Sequence, residues 1–334
     1  MKYLYVLTSD DSDYYLEQTL LSITSLRLYM PDAFVVLLVD DVTEANLTGK
    51  RAEILKLITE LKSIKIDSRF NKKARSRWLK TSMRMHITGD FFYIDNDTII
   101  AGDLSSIENI DADIAAVLND HIYLSEFVKT RLHRMNVYYK KLGFVHFSSW
   151  KYFFNGGIIL CKDSKTGHDF FREWHHLWFL NFELGNVTDQ QSLNQVNFIM
   201  NNVVREIDGI WNCQILNDGA LQFLHDAKII HYFATHVHSK FFLLANKEYT
   251  EKIKETGVVD QKTKDMLKNP KAHIAPNTRI MLVDRSLREF YDSAICGAAK
   301  RIYYTRLGSV IEFVFSIIKK YIFTPLRKKL YMHR

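Results

Sequence analysis

Two carboxylates one residue apart, Asp95 and Asp97, close the apolar run FFYIDNDTII at residues 91–100. Its aromatic and β-branched residues mark the run as a buried strand, and charge is costly in such a place. Two like charges also repel unless a cation lies between them. At the two-residue period of a strand both carboxylates can point to one side. A hard divalent ion, Mn2+ or Mg2+, held by carboxylates with coordination positions left open, suits a diphosphate. The same spacing recurs at Asp11/Asp13 and Asp111/Asp113, in polar, turn-like surroundings where solvated acids are expected. For the middle pair, acids that merely cap a loop are the alternative.

The elements that must position this pair alternate. Strands are expected at 2–9, 33–40, 63–67, 90–96, 113–119, 152–161 and 227–233, with helical patterns at 14–30, stopped by Pro31, and at 43–61. Near-continuous apolar strands alternating with helices imply an α/β fold, a mostly parallel sheet flanked by helices. In such sheets ligands bind beyond the carboxyl ends of the strands. Polar residues gather at those ends: Thr8, Ser9, Asp10 and Asp11; Asp40 and Asp41; Asp95 and Asp97.

Three further segments, YFFNGGIIL, TDQQSLNQ and IIHYF, follow the aspartate pair in order. Together the four motifs, over roughly residues 1–245, resemble the retaining family 8 glycosyltransferases, whose fold is the nucleotide-sugar GT-A type. The resemblance implies Asp95, Asp97 and His231 as metal ligands for Mn2+ (or Mg2+), and a UDP-sugar donor, UDP-glucose or UDP-galactose. It further implies Asn155, Gly156 and Asn96 at the donor, Asp189 on donor-sugar hydroxyls, and Gln190 near the anomeric carbon. Thr8, Asp10 and Asp11 would bind the uridine, with Arg77 and Lys80 near the donor. Bland readings stand beside these: a structural histidine for His231, a bulge at Gly156 and Gly157, a helix cap at Thr188 or Asp189, and a solvated basic face for Arg77 and Lys80. The family's Gly-containing turn and Lys-Pro-Trp-like segment are replaced here by HYFATHVHSKFF. Lys240 stands as the diphosphate contact, with His236 and His238 as rivals, one of which could replace His231 on the metal.

The resemblance implies oxocarbenium-like chemistry at the donor sugar, as in glycoside hydrolysis. An amide such as Gln190 is a poor nucleophile, so same-face attack by the acceptor hydroxyl is expected, with a covalent adduct on Asp189 as the rival. A catalytically inactive sugar-nucleotide-binding scaffold and a Mg2+-dependent phosphate hydrolase are the alternatives from other classes.

The chain has 334 residues, 47% hydrophobic and 25% charged, enough for a sizeable core. Cys161, Cys213 and Cys296 are scattered and odd in number, which argues against a disulfide framework or zinc site. The first residues read as a strand rather than a signal peptide. The formal charge of +7 is uneven: residues 297–334 hold nine Lys/Arg against one acid, and the remaining 296 residues hold 36 basic against 37 acidic. That tail predicts an amphipathic helix over 307–322, too short to span a bilayer but suited to an anionic membrane surface. A helix packed on the body or on another subunit is the alternative. Nucleic acid is not an expected partner, since the body carries no excess positive charge. The expected organisation is a GT-A catalytic domain at 1–245, a helical linker or acceptor-side region at 246–296, and a C-terminal helical, basic amphipathic extension at 297–334. The expected role is peripheral, on the inner face of the cytoplasmic membrane, with a saccharide or glycolipid acceptor in surface polysaccharide or lipopolysaccharide synthesis.

Overall fold

A computed structural model describes residues 1–144, 147–216, 220–233, 242–274, 285–291, 293–303 and 305–323. Seven strands form the central sheet: β1 (Lys2–Leu7), β2 (Phe34–Asp40), β3 (Glu60–Ile64), β4 (Phe91–Ile94), β6 (Ile114–Leu118), β7 (Phe154–Cys161) and β8 (Val204–Glu206), in the order β3-β2-β1-β4-β7-β6-β8. Six of them run parallel, and β7 alone is antiparallel to both its neighbours, β4 and β6. The carboxyl ends of β4 and β6 and the amino end of β7 therefore share one edge. A three-stranded sheet, β5 (Thr98–Ile100), β10 (Ile229–His231) and β9 (Cys213–Gln214), lies beyond that edge in the chain path.

The strands read as continuous apolar runs because both faces of the sheet are covered. Tyr3, Tyr5 and Leu7 of β1 and Phe92 and Ile94 of β4 pack into one cluster, with Leu16, Leu20, Ile23 and Leu26 of the helix Tyr15–Tyr29. The alternate residues Leu4, Val6, Phe91 and Tyr93 face the other, with Leu79 and Met83 of the helix Lys72–His86 and Phe170, Trp174 and Trp178 of the helix Lys165–Glu183. Each large apolar side chain buried this way contributes about 1.5–3 kcal/mol. Asn71 starts the helix Lys72–His86 by accepting a hydrogen bond from the Ala74 amide at 3.0 Å.

Three expectations need correction. The helix predicted over 43–61 breaks into a short helix, Asp41–Ala45, and a 3-10 helix, Gly49–Lys56. The first ends with Asn46 as its C-cap, and Thr48 is extended at φ −122, ψ 160, which separates it from the second. The strand expected at 63–67 starts earlier, at Glu60, because Glu60–Ile64 pair with Val36–Asp40. Asp40, expected among the ligand-facing acids, is fully buried, caps the helix Asp41–Ala45 through the Thr43 amide and pairs with Arg75.

Contacts divide the chain into two units, residues 1–126 with 139–279 and residues 127–138 with 280–334. In the second unit the predicted amphipathic helix forms as Arg306–Ile318, followed by a π-helical turn over Lys319–Phe323. Leu307, Val310, Phe313, Val314, Phe315 and Ile317 are all exposed on it.

Candidate functional site

Asp95 and Asp97 lie between β4 and β5, where the chain leaves the large sheet for the small one. His231 stands opposite Thr98 in the β10–β5 pairing, and the Tyr232 amide donates to the Asp97 carbonyl at 3.1 Å. This pairing carries His231 across 134 residues of sequence to Asp97, with Nε2 3.1 Å from Oδ1. One ligand atom each from Asp95, Asp97 and His231 falls within 4.8 Å of the others, a group that could hold a metal ion. The opposite nitrogen of His231, Nδ1, lies 2.9 Å from Asn212 Oδ1 and is buried with it. With the hydrogen on Nδ1, the bare Nε2 and Asp97 Oδ1 are two acceptors facing each other. A metal ion bound there is one way to make that contact attractive. Two carboxylate oxygens and one imidazole nitrogen form a donor set that suits Mn2+ or Mg2+.

Next to this group is a line of buried charge. Lys80 is 4% exposed, not a member of a solvated face, and its Nζ lies 3.3 Å from Asp95 Oδ2 and 3.5 Å from Asp189 Oδ2. Arg77, one turn earlier on the same helix, places Nε 3.0 Å from Asp189 Oδ1. Burial alone would raise the Asp189 carboxyl, but the Lys80 ammonium and the Arg77 guanidinium outweigh it and hold the carboxyl below its ordinary value. Tyr93 donates to Asp95 Oδ1 at 2.6 Å. Burial, with Asp95 beside it, pushes the Tyr93 phenol well up, so it stays a donor. Asp189 stands at the N-cap of the helix Gln190–Ile199, yet its side chain makes no capping bond there. Its carboxylate is turned to the two cations instead.

The inverted β7 supplies the next residues. Asn155 enters at the site edge of the sheet, 5% exposed, and its Nδ2 donates to Asn119 Oδ1 at 3.1 Å. Gln190 Nε2 donates to the same Asn119 oxygen at 3.0 Å. The β6–β7 register shifts here, with Ala116 opposite Ile159 but Leu118 opposite Phe154, so a strand irregularity and a site coincide. The two glycines differ. A Cβ on Gly156 would meet nothing closer than 3.6 Å, whereas a Cβ on Gly157 would stand 2.5 Å from His231 Cε1 and 2.8 Å from Asn155 Oδ1. Gly157 thus makes room for the histidine ring. Gly157→Ala is expected to raise the dissociation constant for Mn2+ in the presence of UDP at least tenfold. It should also destabilise the fold by about 1–3 kcal/mol through overpacking. Gly156→Ala should change both far less. Calorimetric titration and urea unfolding of the pair decide it, and equal behaviour of the two variants would refute the cradle.

Thr8, Asp10 and Asp11 lie in the turn after β1, and there the cations are already engaged. Lys72 Nζ sits 2.7 Å from both Asp10 Oδ1 and Asp13 Oδ2, and Arg51 donates to Ser9 Oγ at 2.9 Å. The Lys72 hydrogen bond holds the Asp10 carboxyl far below its ordinary value. Thr8 is buried, with its hydroxyl 3.5 Å from the Lys72 carbonyl, and Asp11 is exposed. Asn96 donates to the Val6 carbonyl at 3.0 Å, tying the aspartate turn to β1, and its Oδ1 is buried without a partner among the described residues. Lys240, His236 and His238 lie outside the described residues. Sequence reasoning missed Asn119, Asn194 and Asn212. Asn194 grips the Phe154 amide at 2.6 Å and the Gln190 carbonyl at 2.8 Å. An asparagine closing or following an apolar strand was the one available signal for Asn119.

The profile of glycosyl transferase family 8 matches residues 6–240. Among solved structures, the galactosyltransferase LgtC, in complex with donor and acceptor sugar analogs, is similar at a TM-score of 0.50 and 14% identity, over 79% of this chain and 99% of that one. The bifunctional glycosyltransferase WbbM is similar at 0.49 and 16%, over 70% of this chain and 45% of that one. The glycosyltransferase GlyE of Streptococcus pneumoniae TIGR4 is similar at 0.48 and 18%, over 84% of this chain and 66% of that one. No curated protein sequence matches. The likeness to LgtC is one of fold: a GT-A arrangement with a mostly parallel central sheet flanked by helices.

Proposed function

This chain belongs to glycosyl transferase family 8, and from that premise we propose that it is a metal-dependent, retaining hexosyltransferase using UDP-glucose or UDP-galactose. The observation that carries the proposal is the convergence of Asp95, Asp97 and His231 beside a buried Asp189 and a half-buried Gln190. A divalent ion bound there supplies Lewis acidity toward the diphosphate oxygens. The residues of the chain do the rest. Lys80 and Arg77 hold Asp189 ionised and fixed, so that its remaining lone pairs can accept donor-sugar hydroxyls. Asn155 and Gln190 are assigned to the donor sugar, Thr8, Asp10 and Asp11 to the uridine, and Lys240 to the diphosphate.

A carboxylate paired with two cations is a weakened nucleophile, so Asp189 is assigned to binding rather than to a covalent adduct. The acceptor hydroxyl then attacks from the side the leaving diphosphate vacates: its oxygen bonds to the anomeric carbon, the bond to the donor phosphate breaks, and the departing phosphate oxygen takes the proton. The direct test is UDP release from UDP-glucose and UDP-galactose with Mn2+ or Mg2+, followed by the anomeric configuration of the product. Release that needs no divalent ion, or an inverted product, would overturn the assignment.

We assign the C-terminal segment to an anionic membrane surface and the acceptor to a saccharide, probed first as a glycolipid. In keeping with this, no helix among the described residues is long and apolar enough to cross a membrane. The apolar side chains exposed on Arg306–Ile318 fit insertion at an interface, with the surrounding Lys/Arg attracting lipid phosphates. The full chain should sediment with vesicles of phosphatidylglycerol and not with phosphatidylcholine alone. Phe313→Asp with Phe315→Asp should reduce that binding at least tenfold; no reduction would exclude insertion of this helix.

A further inference from the structure

Four hydrogen bonds join the candidate catalytic amide to the candidate metal histidine, and a fifth fixes their direction. The two ends of an amide side chain have the same outline, so the direction of such a chain must come from a group whose role is unambiguous. The Gly157 backbone N–H is that group: it can only donate, and it lies 2.8 Å from Asn155 Oδ1. Asn155 Nδ2 must then donate to Asn119, at 3.1 Å, which makes the Asn119 atom an oxygen. Gln190 reaches that same oxygen at 3.0 Å and must do so with its nitrogen. On the other side Asn155 Oδ1 also accepts from Asn212 Nδ2 at 3.1 Å, so Asn212 turns its oxygen to His231 Nδ1, 2.9 Å away. One backbone amide therefore orients three asparagines, a glutamine and a histidine tautomer. Asn119, Asn155 and Asn212 are 7%, 5% and 0% exposed, so water does not compete for these bonds.

We propose that Asn119 and Asn212 are positioning residues for the transfer reaction, acting at the two ends of this directional chain. Asn119 commits the nitrogen of Gln190 inward and leaves its carbonyl oxygen, which has no protein partner among the described residues, as the outward group. An oxygen there favours the positive charge that develops at the anomeric carbon, and an amide N–H would oppose it. Asn212 keeps the hydrogen of His231 on Nδ1 and the lone pair on Nε2, the orientation a ligating histidine needs. The inference rests on the assignment of Asp95, Asp97 and His231 to a metal and of Gln190 to the sugar, and its test separates the two.

Mn2+ binding, read as loss of the free-ion paramagnetic resonance signal in the full chain with UDP, is compared with kcat and KM. Asn212→Ala is expected to weaken Mn2+ binding about 10–100-fold. Asn119→Ala should leave Mn2+ binding and donor KM within twofold but lower kcat at least tenfold. Asn119→Asp, whose carboxylate accepts both bonds, should recover most of kcat, whereas Asn119→Leu, of similar volume but with no acceptor, should not, a difference that a packing role would not produce. Should Asn212→Ala fail to fold, nitrogen NMR of wild-type His231 in the Mg2+–UDP complex takes its place, and a hydrogen on Nε2 would overturn the assignment. Unchanged Mn2+ binding in a folded Asn212→Ala, or equal kcat loss in Asn119→Ala and Asn119→Asp, overturns the positioning roles alone. A wild-type chain that binds no Mn2+ with UDP overturns the metal assignment and this inference together.

Discussion

Asp97→Asn is expected to reduce kcat/KM by about three orders of magnitude, roughly 4 kcal/mol of transition-state stabilisation, while leaving the melting temperature within a few degrees. The asparagine keeps the outline of the side chain, so packing beside His231 survives. What is lost is an anionic ligand at the place where two acceptors, Asp97 Oδ1 and His231 Nε2, face each other at 3.1 Å. The amide nitrogen can donate to Nε2 and close that contact without a cation, which removes the reason for an ion to enter. UDP release from the preferred donor measures the first effect, and Mn2+ titration in the presence of UDP measures the second. Asp111→Asn is the matched control, because Asp111 belongs to another aspartate pair of the same spacing and is exposed. It should move neither quantity. Activity of Asp97→Asn within tenfold of wild type would mean the carboxylates are structural.

Asp189→Asn is expected to lower both stability and turnover, and for a different reason. Its carboxylate lies 3.0 Å from Arg77 and 3.5 Å from the buried Lys80. Removing one member of a buried ion pair leaves uncompensated charge, at a cost of about 3 kcal/mol. Lys80 retains Asp95 at 3.3 Å, which keeps the loss from being larger. The pH dependence has a definite sign. The folded carboxyl of Asp189 is held below its ordinary value, so its stabilising contribution is present above the unfolded pKa, near 4, and is lost as pH falls through the folded value. Urea midpoints should thus fall more steeply in acid for wild type than for Asp189→Asn. If the second substitution Arg77→Met restores stability to Asp189→Asn, the unpaired guanidinium is the cause. An unchanged midpoint in the single variant would contradict the pairing.

Much of the sheet could be read from the sequence, because both of its faces are covered and its strands are written as apolar runs. β1, β2, β6 and β7 fall within about two residues of expectation for that reason. β5 was not separable, since Thr98–Ile100 continue the same apolar run as β4 and only the aspartate turn divides them. The helix expected over 43–61 had the right composition but is divided by an extended Thr48, with a 3-10 helix beyond it. The candidate metal group was legible as residue types, and its assembly was not. Asp97 and His231 meet only through the pairing of β5 with β10. Lys80 carried no mark of burial, because a lysine on an amphipathic helix normally faces water. Asn119 and Asn212 were invisible for a related reason: hydrogen-bond partners 36 and 57 residues from Asn155 leave no periodic trace.

The reversal of β7 has an architectural consequence. β6 leaves the sheet at Leu118 and β7 returns to the same rim at Phe154, so everything between is one excursion from a single doorway. The doorway is stapled by the Asn119 amide on the Phe153 carbonyl at 2.7 Å and the Leu124 amide on the Lys151 carbonyl at 3.2 Å. Closing a longer loop across a fixed neck costs only about 0.6 kcal/mol for each doubling of length. The neck thus holds the register of Asn119 and Asn155 through backbone bonds of its own, whatever length of chain leaves through it.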